Sequence, residues 1–193
     1  MKICVYGASS NSIDKKYIEA GERLGSLMAA RGHTLVFGGG ANGLMGAVAR
    51  GEAEVRGEII GVAPTFFNVD GILFPDCTDF VYTETMRERK QKMEELSDAF
   101  VMTPGGIGTF EEFFEILTLR QLARHNKPIA VLNTNGYYNA LCELLDTAIA
   151  GGFMTDKNRE LFFVSEDEAE ILDYLENYKP TDENIYKYKD IKN

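Results

Sequence analysis

The hydrophobic positions of this chain form short unbroken runs that alternate with longer amphipathic stretches. Runs such as 2–6 and 99–102 are almost wholly apolar, as is typical of strands buried on both faces of a parallel sheet. Between these runs, segments such as 14–31 place apolar residues three and four positions apart, which is the period of an α-helix. Strands and helices that alternate in this way predict an α/β fold.

The full pattern predicts seven strands and six helices. We expect strands at 2–6, 34–37, 58–63, 80–82, 99–102, 127–132 and 161–164, and helices at 14–31, 47–56, 86–97, 110–123, 137–150 and 165–178. No repeat or composition shift divides the chain, so we expect a single Rossmann-like domain over residues 1–179, followed by a polar tail at 180–193. Its sheet is expected to be mostly parallel, with helices on both faces.

Three loops rich in glycine and small residues follow predicted strands, at 7–12, 38–46 and 104–109. The carboxyl ends of parallel strands meet at one edge of a sheet, where ligands of such folds bind. The loops are therefore expected to converge on one site. Beyond the third loop, the candidates for its walls are Gly7, Ser9, Gly39, Gly40, Met45 and Gly46.

The third loop, Pro104-Gly105-Gly106-Ile107-Gly108-Thr109, joins a buried strand to a helix. Its glycines allow close approach of a ligand and positive φ, and a helix N-terminus attracts anions such as phosphate. However, Thr109 and Glu112 also have the spacing of a capping box, in which the two side chains satisfy backbone amides. The residues leave both interpretations open.

The second loop contains Gly38, Gly40 and Gly43 in the spacing G-x-G-x-x-G after a strand. This spacing occurs in dinucleotide-binding folds, but there it belongs to the first βα turn and is followed by an acid about 20 residues on. The same glycines also suit tight packing of backbone against backbone. An apolar loop follows the next strand and carries Phe66, Phe67, Ile72, Leu73 and Phe74, which suggests a pocket wall or a covered flap.

The helix expected at 86–97 places Arg89 and Lys90 beside a stripe of methionines. Their long side chains could cover apolar surface and reach water, or they could hold an anion. Glu88 and Lys92 are expected to form an i,i+4 ion pair on the solvated face.

Net charge, the length of the apolar runs and the cysteine content argue against several classes of protein. The formal net charge of −10 opposes binding to nucleic acid, and no apolar run reaches the length of a membrane span. The beginning of the chain lacks the features of a signal peptide, and three dispersed cysteines suggest reduced thiols. We therefore expect a cytoplasmic protein that uses neither nucleic acid nor a membrane as a partner.

The remaining polar residues favour chemistry at a glycosidic bond. The two histidines are too isolated for a catalytic triad or a metal centre, and no P-loop is present. The acids Glu84, Glu111 and Glu112 could stabilise an oxocarbenium-like transition state or activate water. Arginine does not give up its proton, so Arg89 is better suited to holding an anionic substrate.

Three motifs together resemble the LOG family of cytokinin-activating phosphoribohydrolases, formerly mislabelled lysine decarboxylases. They are Gly38-Gly39-Gly40-x-x-Gly43-Leu44-Met45-Gly46, Met86-Arg87-Glu88-Arg89-Lys90 and Pro104-Gly105-Gly106-x-Gly108-Thr109-x-x-Glu112. The resemblance covers residues 1–178 and implies hydrolysis of AMP or an N6-substituted AMP to free base and ribose 5-phosphate. It implies that Arg89 and Glu112 are the catalytic pair. The positions that it implies for substrate binding are Glu84, Lys90, Gly105, Gly106, Ile107, Gly108, Thr109, Glu111 and Thr118.

The resemblance also implies a homodimer with no metal and no organic cofactor. The broad apolar surface expected for helix 110–123 agrees with burial against a partner. Arg87 departs from the family, whose plant members have histidine there, and this leaves the preferred base open. Two alternatives remain: a carrier of the same fold that holds a nucleotide or a molybdenum cofactor without cleaving it, and a dinucleotide-dependent oxidoreductase built on the second loop.

Overall fold

The computed structural model describes residues 1–69 and 71–180, which form a seven-stranded parallel sheet with helices on both faces. The strands are β1 (Lys2–Tyr6), β2 (Thr34–Phe37), β3 (Glu58–Pro64), β4 (Asp79–Thr83), β5 (Ala99–Met102), β6 (Ile129–Leu132) and β7 (Phe163–Ser165). The helices are α1 (Lys15–Ala30), α2 (Gly43–Glu54), α3 (Met86–Leu96), α4 (Ile107–Gln121), α5 (Asn139–Ala150) and α6 (Glu168–Asn177). The predicted α/β fold is confirmed. The predicted tail at 180–193 lies, apart from Pro180, outside the described residues.

The strand order is β4-β3-β2-β1-β5-β6-β7, and every neighbouring pair is parallel. The chain winds outward from β1 in one direction and then from β5 in the other. The neighbouring strands β1 and β5 therefore lead into helices on opposite faces of the sheet, α1 and α4. This arrangement opens a crevice between β1 and β5 at the carboxyl edge. The loops at 7–12 and 103–106 border this crevice.

Each face of the sheet carries its own apolar core. On one face α1, α2 and α6 supply side chains such as Leu24, Val48 and Ile171. On the other face α3, α4 and α5 supply Met93, Phe113 and Leu145, among others. The strands contribute alternate residues to the two cores, which explains their continuous apolar runs. No helix in the described part of the chain is both long and apolar enough to cross a membrane.

Helices α1 and α2 touch backbone to backbone because small residues line their interface. A Cβ atom at Gly25 would lie 2.0 Å from the carbonyl oxygen of Val48, and one at Gly51 would lie 2.0 Å from that of Glu22. Any larger residue at either position would push the helices apart. The glycines therefore fix the distance between α1 and α2 and, with it, the loops that lead into both helices.

A carboxyl group is sealed beneath this interface. Glu52, at the end of α2, is completely buried, and neither carboxyl oxygen has a hydrogen-bond partner among residues 1–69 and 71–180. Burial raises the pKa of Glu52 from 4.5 to about 8, because a charge without a partner is costly away from water. The sequence pattern gives no sign of this burial, since Glu52 is one of two glutamates near the end of α2 and the other, Glu54, is exposed.

Some element boundaries differ from the prediction. The last strand begins two residues later than expected because a 3₁₀ turn occupies Asp156–Leu161. The most consequential difference is the start of α4, at Ile107 instead of Phe110. As a result, Ile107, Gly108 and Thr109 form the first turn of α4 and do not belong to the loop.

Candidate active site

Arg89 and Glu112 form a buried ion pair at the carboxyl edge of the sheet. The guanidinium Nη1 donates to Oε1 of Glu112 over 2.9 Å, and Nε donates to the carbonyl oxygen of Val62 over 3.1 Å. The side chain of Arg89 is 7% exposed and that of Glu112 is 12% exposed. A guanidinium bound at two of its edges cannot rotate freely, so it presents the remaining donors in a fixed direction.

The local structure of α3 explains how Arg89 reaches this place. Thr85 caps the helix by accepting the N–H of Glu88, whose carboxylate in turn accepts the N–H groups of Glu84 and Thr85. The expected pairing of Glu88 with Lys92 is wrong, because Glu88 is used in this capping box and Lys92 pairs with Glu95. The cap fixes the first turn of α3, from which Arg89 points into the protein.

Gly38 makes room for the guanidinium. A Cβ atom at Gly38 would lie 1.9 Å from Nη2 of Arg89, so only glycine leaves this space open. Three other glycines of the second loop, Gly39, Gly43 and Gly46, serve close packing in the same way. Gly39 and Gly43 have positive φ, and a Cβ atom at Gly43 would lie 2.5 Å from the carbonyl oxygen of Ala8. A Cβ atom at Gly46 would similarly clash with the backbone of Ala41.

The N-termini of α2 and α4 differ in their hydrogen bonding. At α2 the N–H groups of the first turn are already used, because Gly43 donates to Asn11 and both Leu44 and Met45 donate to the carbonyl oxygen of Ala8. The second loop therefore offers no free helix terminus to a dinucleotide phosphate. This packing accounts for the G-x-G-x-x-G spacing.

At α4 the N–H groups of Ile107, Gly108 and Thr109 meet no acceptor within the described residues. The N-cap is Gly106, which has no side chain to satisfy them. Of the two interpretations that the sequence left open, the capping box of Thr109 and Glu112 is wrong, because both residues lie inside the helix, which begins at Ile107. A helix terminus with free donors attracts an anion.

The glycines at the start of α4 matter because they lack a side chain and not because they adopt unusual backbone angles. The positive φ that glycine allows is not used in this loop, because Gly105, Gly106 and Gly108 are not among the residues with positive φ. A Cβ atom at Gly106 or Gly108 would meet nothing within 4 Å, whereas one at Gly105 would clash with Thr109. Gly106 and Gly108 thus leave the helix terminus accessible, and Gly105 allows Thr109 to pack.

These features surround two adjoining cavities. The first, the glycine cavity, is lined by Gly7, Ala8, Ser9, Ser10, Met45, Arg89, Gly106, Ile107, Gly108, Thr109 and Glu112. The second, the apolar cavity, is lined by Ser9, Gly38, Gly40, Asn42, Met45, Phe67, Ile72, Leu73 and Arg89. Ser9, Met45 and Arg89 line both, so the cavities are continuous around the guanidinium.

The structure places several predicted site residues elsewhere. Glu84 is exposed and lines a separate groove beside β4. Lys90 pairs with Glu111, and also with Glu115 over 2.8 Å, in a cleft between α3 and α4 that lies on the other side of Glu112. Thr118 is exposed on the outer face of α4. Gly39, Gly46 and Gly105 shape the backbone and do not line either cavity.

Several lining residues were not singled out by sequence reasoning. Ala8, Ser10 and Asn42 are short residues in loops, and only the convergence of those loops pointed to them. Phe67, Ile72 and Leu73 belong to the apolar loop for which the pattern suggested either a pocket wall or a covered flap. They form a wall of the apolar cavity.

The environment of Glu112 changes its acidity. Burial raises the pKa of Glu112 above its ordinary value, although the positive charge of Arg89 opposes the shift. Tyr6 lies beneath the ion pair at the end of β1, and burial raises the pKa of its hydroxyl as well. A carboxylate with a raised pKa is a better acceptor of protons near neutral pH. The pair can therefore hold an anionic ligand and accept a proton from water beside it.

Comparison with known proteins identifies the family. The sequence profile described as "Possible lysine decarboxylase" matches residues 45–175. A protein of Oryza sativa subsp. japonica named "Probable cytokinin riboside 5'-monophosphate phosphoribohydrolase" is 38% identical over 93% of this chain and 79% of its own length. The chain belongs to the LOG family. The family inferred from the three motifs is confirmed.

A second sequence relative and a solved structure are also similar to this chain. A cytokinin riboside 5'-monophosphate phosphoribohydrolase of Arabidopsis thaliana is 34% identical over 95% of the LOG chain and 81% of its own length. Among solved structures, the molybdenum cofactor carrier protein of Chlamydomonas reinhardtii superposes with a TM-score of 0.68 and is 22% identical, covering 91% of the LOG chain and 95% of its own. This likeness shows a shared fold. The named sequence relatives are hydrolases, as the motifs predicted.

Proposed function

We propose that this protein hydrolyses the N-glycosidic bond of a nucleoside 5′-monophosphate, either AMP or an N6-substituted AMP, to the free base and ribose 5-phosphate. The observation that carries the proposal is the buried pair of Arg89 and Glu112 beside the free N–H groups of α4. Relatives at 34–38% identity are named for this type of reaction.

The helix terminus supplies the phosphate site. In the proposed complex the 5′-phosphate accepts the N–H groups of Ile107, Gly108 and Thr109, with Gly106 leaving its approach open. Glu112 lies about one helical turn further along α4, roughly 6 Å beyond Gly108 along the helix axis. A carboxylate at that distance from the phosphate can reach the sugar ring.

The ion pair supplies the chemistry. The oxygen of a water molecule bonds to C1′ while the bond from C1′ to the base nitrogen breaks, and its electron pair leaves with the base. The carboxylate of Glu112 accepts a proton from the attacking water and stabilises the positive charge that develops on the sugar. The base nitrogen takes a proton from solvent, and Arg89 holds Glu112 and the anionic substrate in place.

Base release tests the proposal directly. We expect purified protein incubated separately with AMP and with N6-isopentenyl-AMP to release free base, resolved by liquid chromatography. Glu112→Gln is expected to abolish release, whereas the matched substitution Glu115→Gln, at an exposed residue of α4 that lines neither the glycine cavity nor the apolar cavity, retains it. Nucleotide that binds but stays intact with the wild-type protein would contradict hydrolysis and favour a carrier.

We also propose that the chain forms a homodimer through the outer face of α4. Phe114 is 38% exposed on that face, one turn before Thr118. Thr118 lies about 9 Å beyond Glu112 along the helix, too far to reach the glycine cavity of its own chain. Light scattering should give the mass of a dimer, and Phe114→Arg should give that of a monomer. A wild-type monomer would contradict this arrangement.

A further inference from the structure

Two adjacent tyrosines hold the backbone of the loop that leads into α4. The hydroxyl of Tyr138 donates to the carbonyl oxygen of Thr103 over 2.7 Å, and the hydroxyl of Tyr137 donates to that of Gly105 over 2.7 Å. Tyr138 is buried in the core, whereas Tyr137 is 42% exposed and lines neither the glycine cavity nor the apolar cavity. Tyr137 therefore contacts the loop from outside the site.

The turn after β6 presents Tyr137 to this loop. Strands β5 and β6 are parallel neighbours, so the segments that follow them begin at the same edge of the sheet. Asn135 and Gly136 adopt positive φ in the turn, which brings the chain back over that edge. The ring of Tyr137 then packs edge-on against Tyr17 of α1, with 5.8 Å between the ring centroids. The hydroxyl of Tyr137 is thus held in place by the protein itself.

The hydrogen bond to Gly105 sets the orientation of a peptide group that no side chain restrains. This peptide joins Gly105 to Gly106, which both lack a Cβ atom, so it could turn over at little steric cost. The C=O and N–H of a trans peptide point in opposite directions. With the oxygen of Gly105 bound to Tyr137, the N–H of Gly106 is directed to the opposite side, where it meets no acceptor in the part of the chain that the structure describes. The reversed peptide would present a carbonyl oxygen there, which repels an anion.

We propose that Tyr137 is a positioning residue of the phosphate site, whose hydroxyl directs the N–H of Gly106 towards the glycine cavity. Gly106 lines that cavity beside the free N–H groups at the start of α4. The inference rests on the proposed function for the identity of the anion as a 5′-phosphate. Donors that are already oriented need no reorganisation when the anion binds, and a hydrogen bond to an ionised group is about twice as strong as a neutral one. Tyr137 therefore raises the affinity for phosphorylated ligands without touching them.

Tyr137→Phe tests the inference, since it removes the hydroxyl and keeps the ring. The position is exposed, so the variant should fold. We expect the dissociation constant of ribose 5-phosphate, measured by calorimetric titration, to rise about tenfold, which is the effect of one hydrogen bond to a charged group. KM for the cleaved nucleotide should rise by a similar factor at nearly constant kcat, because the phosphate is held equally in the ground state and the transition state. A fall in kcat by the same factor would indicate a general distortion of the site and would overturn the inference.

Tyr17→Phe is the matched control. Tyr17 packs against the ring of Tyr137, and its hydroxyl makes no hydrogen bond to any residue that the structure describes. It should leave the dissociation constant as in the wild type. If the wild type cleaves neither AMP nor N6-isopentenyl-AMP, the proposed function fails and the dissociation constants of ribose 5-phosphate decide the inference alone. Equal constants in Tyr137→Phe and the wild type, an equal rise in Tyr17→Phe, or a wild type that does not bind ribose 5-phosphate would overturn it.

Discussion

The guanidinium Nη2 of Arg89 occupies the space that a side chain at Gly38 would need, since a Cβ atom there would lie 1.9 Å away. The position of Arg89 thus depends on the absence of atoms in a different loop. A methyl group at position 38 would displace the end of the Arg89 side chain. The displacement would also strain the hydrogen bond from Nε of Arg89 to the carbonyl oxygen of Val62 in β3.

Gly38→Ala is therefore expected to lower kcat about a hundredfold, since displacement of a positioning group by about 1 Å has effects of this order. The fold should persist, because the clash falls on the end of a flexible side chain. Steady-state kinetics and thermal unfolding measure the two effects. A variant with wild-type kcat would show that Arg89 need not hold its observed position.

The pH dependence of kcat should report the carboxyl group of Glu112. Burial raises its pKa above 4.5, so the carboxylate is lost at a higher pH than for an ordinary glutamate. Because only the carboxylate accepts a proton from water, we expect kcat to fall with decreasing pH through a midpoint above 4.5. The measurement is a kcat profile from pH 4 to 9. A midpoint at or below 4.5 would contradict the role of the buried carboxylate.

Replacing Glu52 should change the pH dependence of stability. Its folded-state pKa of about 8 exceeds the unfolded value of 4.5, so its contribution is fully present below pH 4.5 and is lost as pH rises to about 8. Glu52→Gln stays neutral throughout. We expect the variant to gain about 1–3 kcal/mol relative to the wild type at pH 9, and much less at pH 5.

Denaturant unfolding at the two pH values measures this difference. Glu54→Gln, at an exposed position two residues further along α2, is the matched control and should show no such dependence. The same difference in stability between Glu52→Gln and the wild type at both pH values would contradict the buried neutral carboxyl.

Removing the cap of α3 should destabilise the helix that carries Arg89. Thr85→Ala deletes the hydroxyl that accepts the N–H of Glu88, at an expected loss of about 1 kcal/mol in the free energy of unfolding. Thr85→Ser keeps the hydroxyl and should recover most of the loss. Equal stability of the alanine and serine variants would show that the cap contributes nothing.

The sequence predicted the architecture well because its apolar runs and amphipathic segments have distinct periods. It also placed Arg89 on the same side of α3 as Met93, because the two residues are four positions apart, but it left open whether the arginine reaches water or holds an anion. The convergence of the loops at 7–12 and 104–109 followed from topology alone. None of these predictions required knowledge of a contact between distant side chains.

The errors arose where a local pattern had two physical outcomes. Thr109 and Glu112 have the spacing of a capping box, but the helix begins at Ile107, so the box forms instead at Thr85 and Glu88. The burial of Glu52 was not foreseen, because it depends on the close approach of α1 and α2. Periodicity within one segment carries no information on how closely another segment packs against it.

The contact between α1 and α2 also links distant parts of the molecule. The loop that leads into α1 and the first turn of α2 line the ligand cavities, and Gly25 and Gly51 allow no adjustment between the two helices. A bulky residue at Gly25 would push α1 away from α2. The displacement would reach the glycine cavity, which is lined by Ser9 from the loop before α1 and by Met45 from α2. Substitutions that aim to change specificity are therefore better made in the exposed loop between β3 and β4. Gly25 and Gly51 must be kept, because they hold α1 and α2 at a fixed distance.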